Sequence, residues 1–340
     1  MKVEVYAPTI RRKEMDAVLT VMVEDKIGPG EQSRLLIQVA KEHLGFEYCV
    51  SLRSPVFALF LALKSLHLED GAGVVLSALS PRYYAQVLED LRLRPVYCDV
   101  SASFPCIDRE TLERACKGED PAPKGILVHH TLGFVPDMAS IVQMGLPVIE
   151  DCSQSYGTEG RASALGVFTL LGLEERDMLT SGGGALLYGV NPRNTSVLRN
   201  KGDLPPEYGL PDMNAAMAVV QFREGAKNLE KRKGIAQIYT QSALRTRHKR
   251  FIPRDEEGYN NYAFPLVLET GMKEVKAYAK RKDIVVASAF EGTLMGSGMV
   301  EPSVCPESYS LSLRTVLFPL YPRLGAADIE KVAKLIVSLP

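Results

Sequence analysis

From residue 47 to about 150, short apolar runs alternate with segments whose apolar positions recur at helical spacing. The runs at 48–52, 74–78, 95–99, 125–129 and 147–150 read as strands, and the segments at 56–66, 83–91, 110–115 and 138–144 as helices. This order fits parallel strands joined by crossover helices. Ser54-Pro55 and Ser80-Pro81 each offer an N-cap followed by proline at the first helical position. Runs at 167–171 and 184–188 extend the sheet, with Gly182, Gly183 and Gly184 forming a tight turn before the second.

Beyond about residue 200 the pattern changes. A long helical stretch at 213–244 leads into a smaller segment with strand-like runs at 262–268 and 284–287 and a last helix at 326–338. The expected division is a large domain over 1–210 and, over 211–340, a linking helix with a small α+β domain. No internal repeat or low-complexity segment interrupts it.

The composition, 46% hydrophobic and 24% charged over 340 residues, is that of a globular chain. A net charge of -1 gives no pull toward nucleic acid or an anionic membrane. No apolar stretch approaches the roughly 18 residues of a membrane span, and residues 1–12 lack the apolar core of a signal peptide, so a cytoplasmic protein is expected. The six cysteines, Cys49, Cys98, Cys106, Cys116, Cys152 and Cys305, have no close paired spacing and read as buried free thiols, with no metal site expected.

The segment Val148-Ile149-Glu150-Asp151-Cys152-Ser153-Gln154-Ser155-Tyr156-Gly157 resembles the strand-end motif of the DegT/DnrJ/StrS family, pyridoxal-phosphate (PLP) dependent aminotransferases acting on nucleotide-linked keto-sugars. The resemblance continues through Gly30-Glu31-Gln32, Ala58-Leu59, Arg94 to Asp99, His130 with Gly133 and Asp137-Met138, Gly183-Gly184-Ala185, and Phe318-Pro319-Leu320-Tyr321-Pro322. It implies an α/β, aspartate-aminotransferase-like fold (PLP fold type I), with a mostly parallel seven-stranded sheet and a smaller C-terminal domain. It also implies a homodimer with sites at the subunit interface and a role in sugar or polysaccharide biosynthesis.

By that resemblance Asp151 sits where an acid meets the pyridine nitrogen of PLP, which makes the ring an electron sink. As a bare residue it could instead cap a turn; the matched Gln154, which would lie near the cofactor's phenolic oxygen, favours a site role. Cys152 and Ser153 fill small-residue positions, and His130 matches a histidine near the ligand. The lysine that holds PLP as an imine should follow by a few tens of residues, yet no lysine occurs from Gly125 to Asn200. Counting back from Gly183-Gly184 puts Arg176 in its place. A permanently charged guanidinium can neither form the imine nor accept a proton, although it can bind an anion. A branch of the family that uses histidine for dehydration is not matched either, because no histidine lies between His130 and His248.

Other contacts implied by the resemblance differ too. Ser54-Pro55-Val56 replaces Ser-Gly-Thr at the phosphate-binding helix start, so Ser54 remains while an N–H and a hydroxyl are gone. Pro81 replaces a stacking aromatic, with Tyr83 and Tyr84 close by; 170–173 replaces a serine region with apolar residues and glycine; Glu207 replaces an asparagine and would repel phosphate. The expectation is a catalytically retired homologue, a ligand-binding or partner subunit with a nucleotide-sugar ligand, as a homodimer or paired with an active paralogue. The alternatives are an active aminotransferase using Lys201 or a partner's lysine, and cofactor-free chemistry at Cys152 or His130.

Overall fold

Seven apolar runs assemble into one sheet: β1 (Tyr48–Leu52), β2 (Gly73–Ser77), β3 (Arg94–Cys98), β4 (Gly125–His129), β5 (Val148–Asp151), β6 (Phe168–Gly172) and β7 (Ala185–Gly189). This computed structural model describes residues 2–158, 165–189, 191, 196, 198–199, 204–256, 258–269 and 271–340. The strand order is β1-β7-β6-β5-β4-β2-β3, and only β7 runs antiparallel to its neighbours. Strands β2, β4, β5, β6 and β7 are buried at every position. Helices therefore cover both faces, which is why these strands read as unbroken apolar runs without alternation.

The helices of this part are α1 (Arg12–Val23), α2 (Glu31–Leu44), α3 (Pro55–Ser65), α4 (Tyr83–Asp90), α5 (Arg109–Cys116) and α6 (Met138–Val142). Ser54 caps α3 as expected, accepting from the Phe57 N–H at 3.4 Å with Pro55 in the first turn. Ser80 does not cap α4. Its hydroxyl is buried without a partner, and α4 begins after Arg82. The segment is drawn into backbone pairing instead, with Arg82 N–H on Gly292 O and Leu294 N–H on Ser80 O. Long-range pairing has outweighed local capping. Before β7, Gly182, Gly183 and Gly184 all take positive φ values of 75°, 150° and 117°, a turn that three side chains would strain.

Helix α7 (Asp212–Ala243) joins two cores. Its first half, through Ala215, Ala218, Val219 and Phe222, packs with Leu36, Phe46, Leu186 and Tyr188. Its second half, through Ile235, Ala236, Tyr239 and Ala243, packs with β8 (Phe264–Val267), β10 (Thr315–Phe318), and the helices α8 (Met272–Arg281) and α10 (Ala326–Val337). The small sheet has the order β8-β10-β9, with β9 at Ala287–Ser288. The run expected at 284–287 is displaced because residues 283–285 pair with Val3 of the N-terminal arm. Helices α1, α8 and α9 (Pro306–Arg314) and strand β10 were not expected from the pattern. Among the described residues no helix is long and apolar enough to cross a membrane.

The head of α7 is tied to the head of α2. The buried Asp212 carboxylate accepts from Gly30 N (2.8 Å), Gln32 N (2.9 Å), Ser33 N (2.9 Å) and Ser33 Oγ (2.7 Å). Burial alone would raise its pKa, but these donors outweigh that and hold it below the usual carboxylate range. Asp212→Ala orphans three backbone N–H groups at a helix start, and a loss of about 2–4 kcal/mol is expected in denaturant titration. Asp212→Asn should cost less. The stabilisation from Asp212 should disappear on acidification below the ordinary carboxylate range, because the folded carboxyl holds its proton less tightly than the unfolded one.

Candidate functional site

At the carboxyl end of β5, Asp151 is buried, 4% exposed, and surrounded by donors. Its Oδ1 accepts from Ser153 N at 3.0 Å and from the Ser153 hydroxyl; its Oδ2 accepts from Tyr84 OH at 2.6 Å and Tyr83 OH at 3.3 Å. A carboxylate offers about four acceptor positions, so all are filled by the chain itself. Burial first, and the Asp151 charge second, push both phenols well above their usual pKa, which keeps them protonated as donors. The Ser153 hydroxyl also accepts from Gly172 N at 2.7 Å, locking the turn after β5 to the end of β6. Asp151 thus caps a turn and anchors a polar cluster together.

The second acid of the site is Asp177. It accepts from Glu174 N at 2.8 Å and lies against Gly172, where a side chain would collide with the Asp177 carboxylate and the Ser153 hydroxyl. Desolvation raises its pKa to about 8, the Glu174 N–H opposes this, and Asp151 and Glu174 add to it. Asp177 is therefore mostly protonated at neutral pH. Its neighbour Arg176 is exposed in the same turn. The chain inserts the acid and leaves the guanidinium outside. Tyr6 and Tyr262 stand close enough to sense the charges of both Asp177 and Arg176, and burial raises both phenols.

The other expected site residues are committed to the scaffold. Gln154 Oε1 accepts from Leu132 N at 2.7 Å, holding Leu132 at its positive φ of 57°. His130 is fully buried, with Nδ1 2.7 Å from Ser155 Oγ and Nε2 3.8 Å from Glu150 Oε2. Burial and the adjacent His129 lower its pKa to about 3 against the pull of Asp151, so the ring is neutral, and its buried Nε2 has no hydrogen-bond partner. Cys152 is buried against Leu170 O and Tyr188 OH, and burial raises its thiol pKa. Ser54 spends its oxygen on the α3 cap. Glu207 is exposed, and its backbone carbonyl accepts from Arg53 Nε at 2.9 Å. Lys201 lies outside the described residues.

Sequence reasoning named Tyr83 and Tyr84 only as nearby aromatics and did not single out Asp177, Tyr6 or Tyr262. The doubled tyrosine two residues after Pro81 was the available signal. Asp177 gave none, because Glu174-Glu175-Arg176-Asp177 reads as a solvated run. All six cysteines are free thiols, buried except for the half-buried Cys116. Among the described residues no group of His, Cys, Asp or Glu is placed to hold a metal ion.

The sheet order and the site at the strand ends define an aspartate-aminotransferase-like α/β fold, PLP fold type I. The fold matches the aminotransferase TlmJ from Streptoalloteichus hindustanus, with a TM-score of 0.88 at 21% identity over 99% of this chain and 98% of that one. It also matches an E. coli GDP-4-keto-6-deoxy-D-mannose-3-dehydratase with bound hydrated PLP, with a TM-score of 0.86 at 14% identity over 99% of each chain. The chain belongs to the DegT/DnrJ/EryC1/StrS aminotransferase family, whose sequence model matches residues 8–337. A dTDP-4-dehydro-2,3,6-trideoxy-D-glucose 4-aminotransferase from Saccharopolyspora spinosa is 24% identical over 97% of this chain and 95% of its own length. An L-glutamine:2-deoxy-scyllo-inosose aminotransferase from Streptomyces lividus is 31% identical over 47% of this chain and 39% of its own.

The raised pKa of Asp177 has a definite sign. Between its ordinary value of 3.8 and about 8 the folded chain keeps a proton that the unfolded chain has lost, so Asp177 makes stability fall as pH rises through this window. Asp177→Asn, which is neutral throughout, should flatten that fall. Thermal unfolding measured from pH 5 to 9 checks this, and parallel profiles for both proteins would contradict it.

Proposed function

We propose that this chain is a sugar-aminotransferase homologue that does not run ordinary transamination and serves as a ligand-binding or partner subunit in a sugar-modifying pathway. The observation that carries this reading is the absence of lysine from Gly125 to Asn200, the stretch in which the imine-forming residue belongs. The placement of Arg176 and Asp177 supports it: the turn after β6 sends a carboxyl group inward and a guanidinium outward, and neither can form an imine.

PLP, the cofactor implied by the family, does not fit this arrangement. A pyridinium N–H needs an acceptor on Asp151, and Ser153, Tyr83 and Tyr84 have taken its acceptor positions. At the expected phosphate cradle, Pro55 has no N–H to give. What remains suits a polar ligand such as a nucleotide-linked sugar: Arg176 as an exposed cation, Tyr6 and Tyr262 within range of its charge, and Asp177 as a neutral donor. The partner in this reading is a second copy of the chain or an active paralogue whose site it completes.

A second reading is favoured by the aminotransferase names of its relatives. In it the chain transfers an amino group from glutamate to a nucleotide-linked keto-sugar, with a lysine supplied by residue 201 or by a partner subunit.

The two readings separate in one assay. Purified protein incubated with PLP, glutamate and nucleotide-linked keto-sugars is expected to form no amino-sugar, and borohydride reduction should leave no pyridoxyl group on any lysine by mass analysis. Turnover of roughly 1 per second or faster, typical of enzymes, would overturn the first reading, and a labelled lysine would identify the substitute.

A further inference from the structure

We infer that Tyr83 and Tyr84 form a built-in plug of the cofactor's ring subsite, in which their two hydroxyls take the place of the pyridine nitrogen at Asp151. This rests on the reading that the chain runs no ordinary transamination and adds which residues exclude the cofactor.

Three observations carry it. The geometry is one of full occupancy: Oδ2 of Asp151 holds Tyr84 OH at 2.6 Å and Tyr83 OH at 3.3 Å, while Oδ1 is spent on Ser153. A third donor on Oδ2 must evict a tyrosine. The two rings are also held from behind. Tyr84 is 1% exposed and packs edge-on against His129, with ring centroids 6.3 Å apart, and Tyr83 packs edge-on against Tyr84 at 5.0 Å. Finally, both tyrosines lie in the first turn of α4, whose start is pinned by Arg82 N–H on Gly292 O and by Leu294 N–H on Ser80 O. The start of α4 is thus fixed, and it holds both hydroxyls on the carboxylate.

The roles of the two hydroxyls differ. Tyr84 supplies the short, buried bond and fixes the carboxylate. Tyr83 is half-buried and makes the longer bond, so it is the outer half of the plug. Burying a lone carboxylate is costly, and the tyrosines give Asp151 the donors that a bound pyridinium would otherwise provide. The site is therefore stable without a cofactor.

The test is PLP binding by equilibrium dialysis at fixed pH, with phenolic absorbance and circular dichroism as measures of fold. Wild type and Asp151→Asn should retain PLP equally poorly, because Asp151 is already engaged. Tyr83→Phe/Tyr84→Phe should bind PLP at least about tenfold more tightly, the equivalent of one freed hydrogen bond to a charged group. That gain should vanish when Asp151→Asn is added. Should the double variant fail to fold, Tyr83→Phe alone removes the longer bond at the less buried ring and carries the same expectation in smaller measure. Wild-type protein that binds PLP and loses it on Asp151→Asn would overturn the plug, as would a folded tyrosine variant no tighter than wild type. Neither result requires amination of a keto-sugar, which is the outcome that would overturn the proposed function itself.

Discussion

The carboxylate of Asp212 is the knot that ties the start of α7, the helix shared by the two smaller cores, to the head of α2. It is the first residue of α7, yet its hydrogen bonds go to Gly30, Gln32 and Ser33 at the head of α2. One anion thus satisfies three backbone donors at the start of a helix that begins 181 positions earlier in the chain, at Glu31. From this fixed end α7 runs for 32 residues, about 48 Å at helical rise, and lends its two halves to different cores. About two-thirds of the way along it the buried Arg232 gives Nη1 to the carbonyls of Asn261, Tyr262 and Leu320, drawing the small sheet's loops onto the helix. The position of Tyr262 beside the site follows from that bond.

The site shows how a buried acid shapes its surroundings. A carboxylate at the end of β5 must be met by donors or lose its charge. In a family whose chemistry uses PLP, a protonated ring nitrogen can meet it. Here two tyrosines and a serine do so. The second acid, Asp177, lacks enough donors and is held protonated instead. Asp151 receives four donors, whereas Asp177 receives a backbone N–H from Glu174.

Much of the scaffold was legible along the chain. The seven strands of the large sheet lie within a residue of the expected runs, because fully buried strands leave unbroken apolar stretches. The Ser54-Pro55 cap was legible for the same local reason. Ser80-Pro81 carried the identical signal and failed, since residues 80–82 pair with 292–294, more than 200 positions away. The expected strand at 284–287 shifted when the N-terminal arm claimed residue 284. Of the expected site residues, His130, Gln154 and Ser54 were found bonded into the scaffold, a commitment that no motif spacing reveals.

What the sequence determined by itself is chemical inventory and local period. It settles that no lysine stands between Gly125 and Asn200, that Asp151 ends a buried strand, and that glycines at 182–184 can turn where other residues would strain. These are properties of residue type and spacing, which need no partner. Only the tertiary structure decided which groups meet. It turned Asp177 inward and Arg176 outward, placed two phenols from α4 on the acid of β5, and joined the heads of α2 and α7 through Asp212. Each of these is a contact between segments far apart in the chain. Such contacts are set by sheet order and helix docking, and hydrogen-bond capacity becomes decisive only after burial has removed water as the alternative partner.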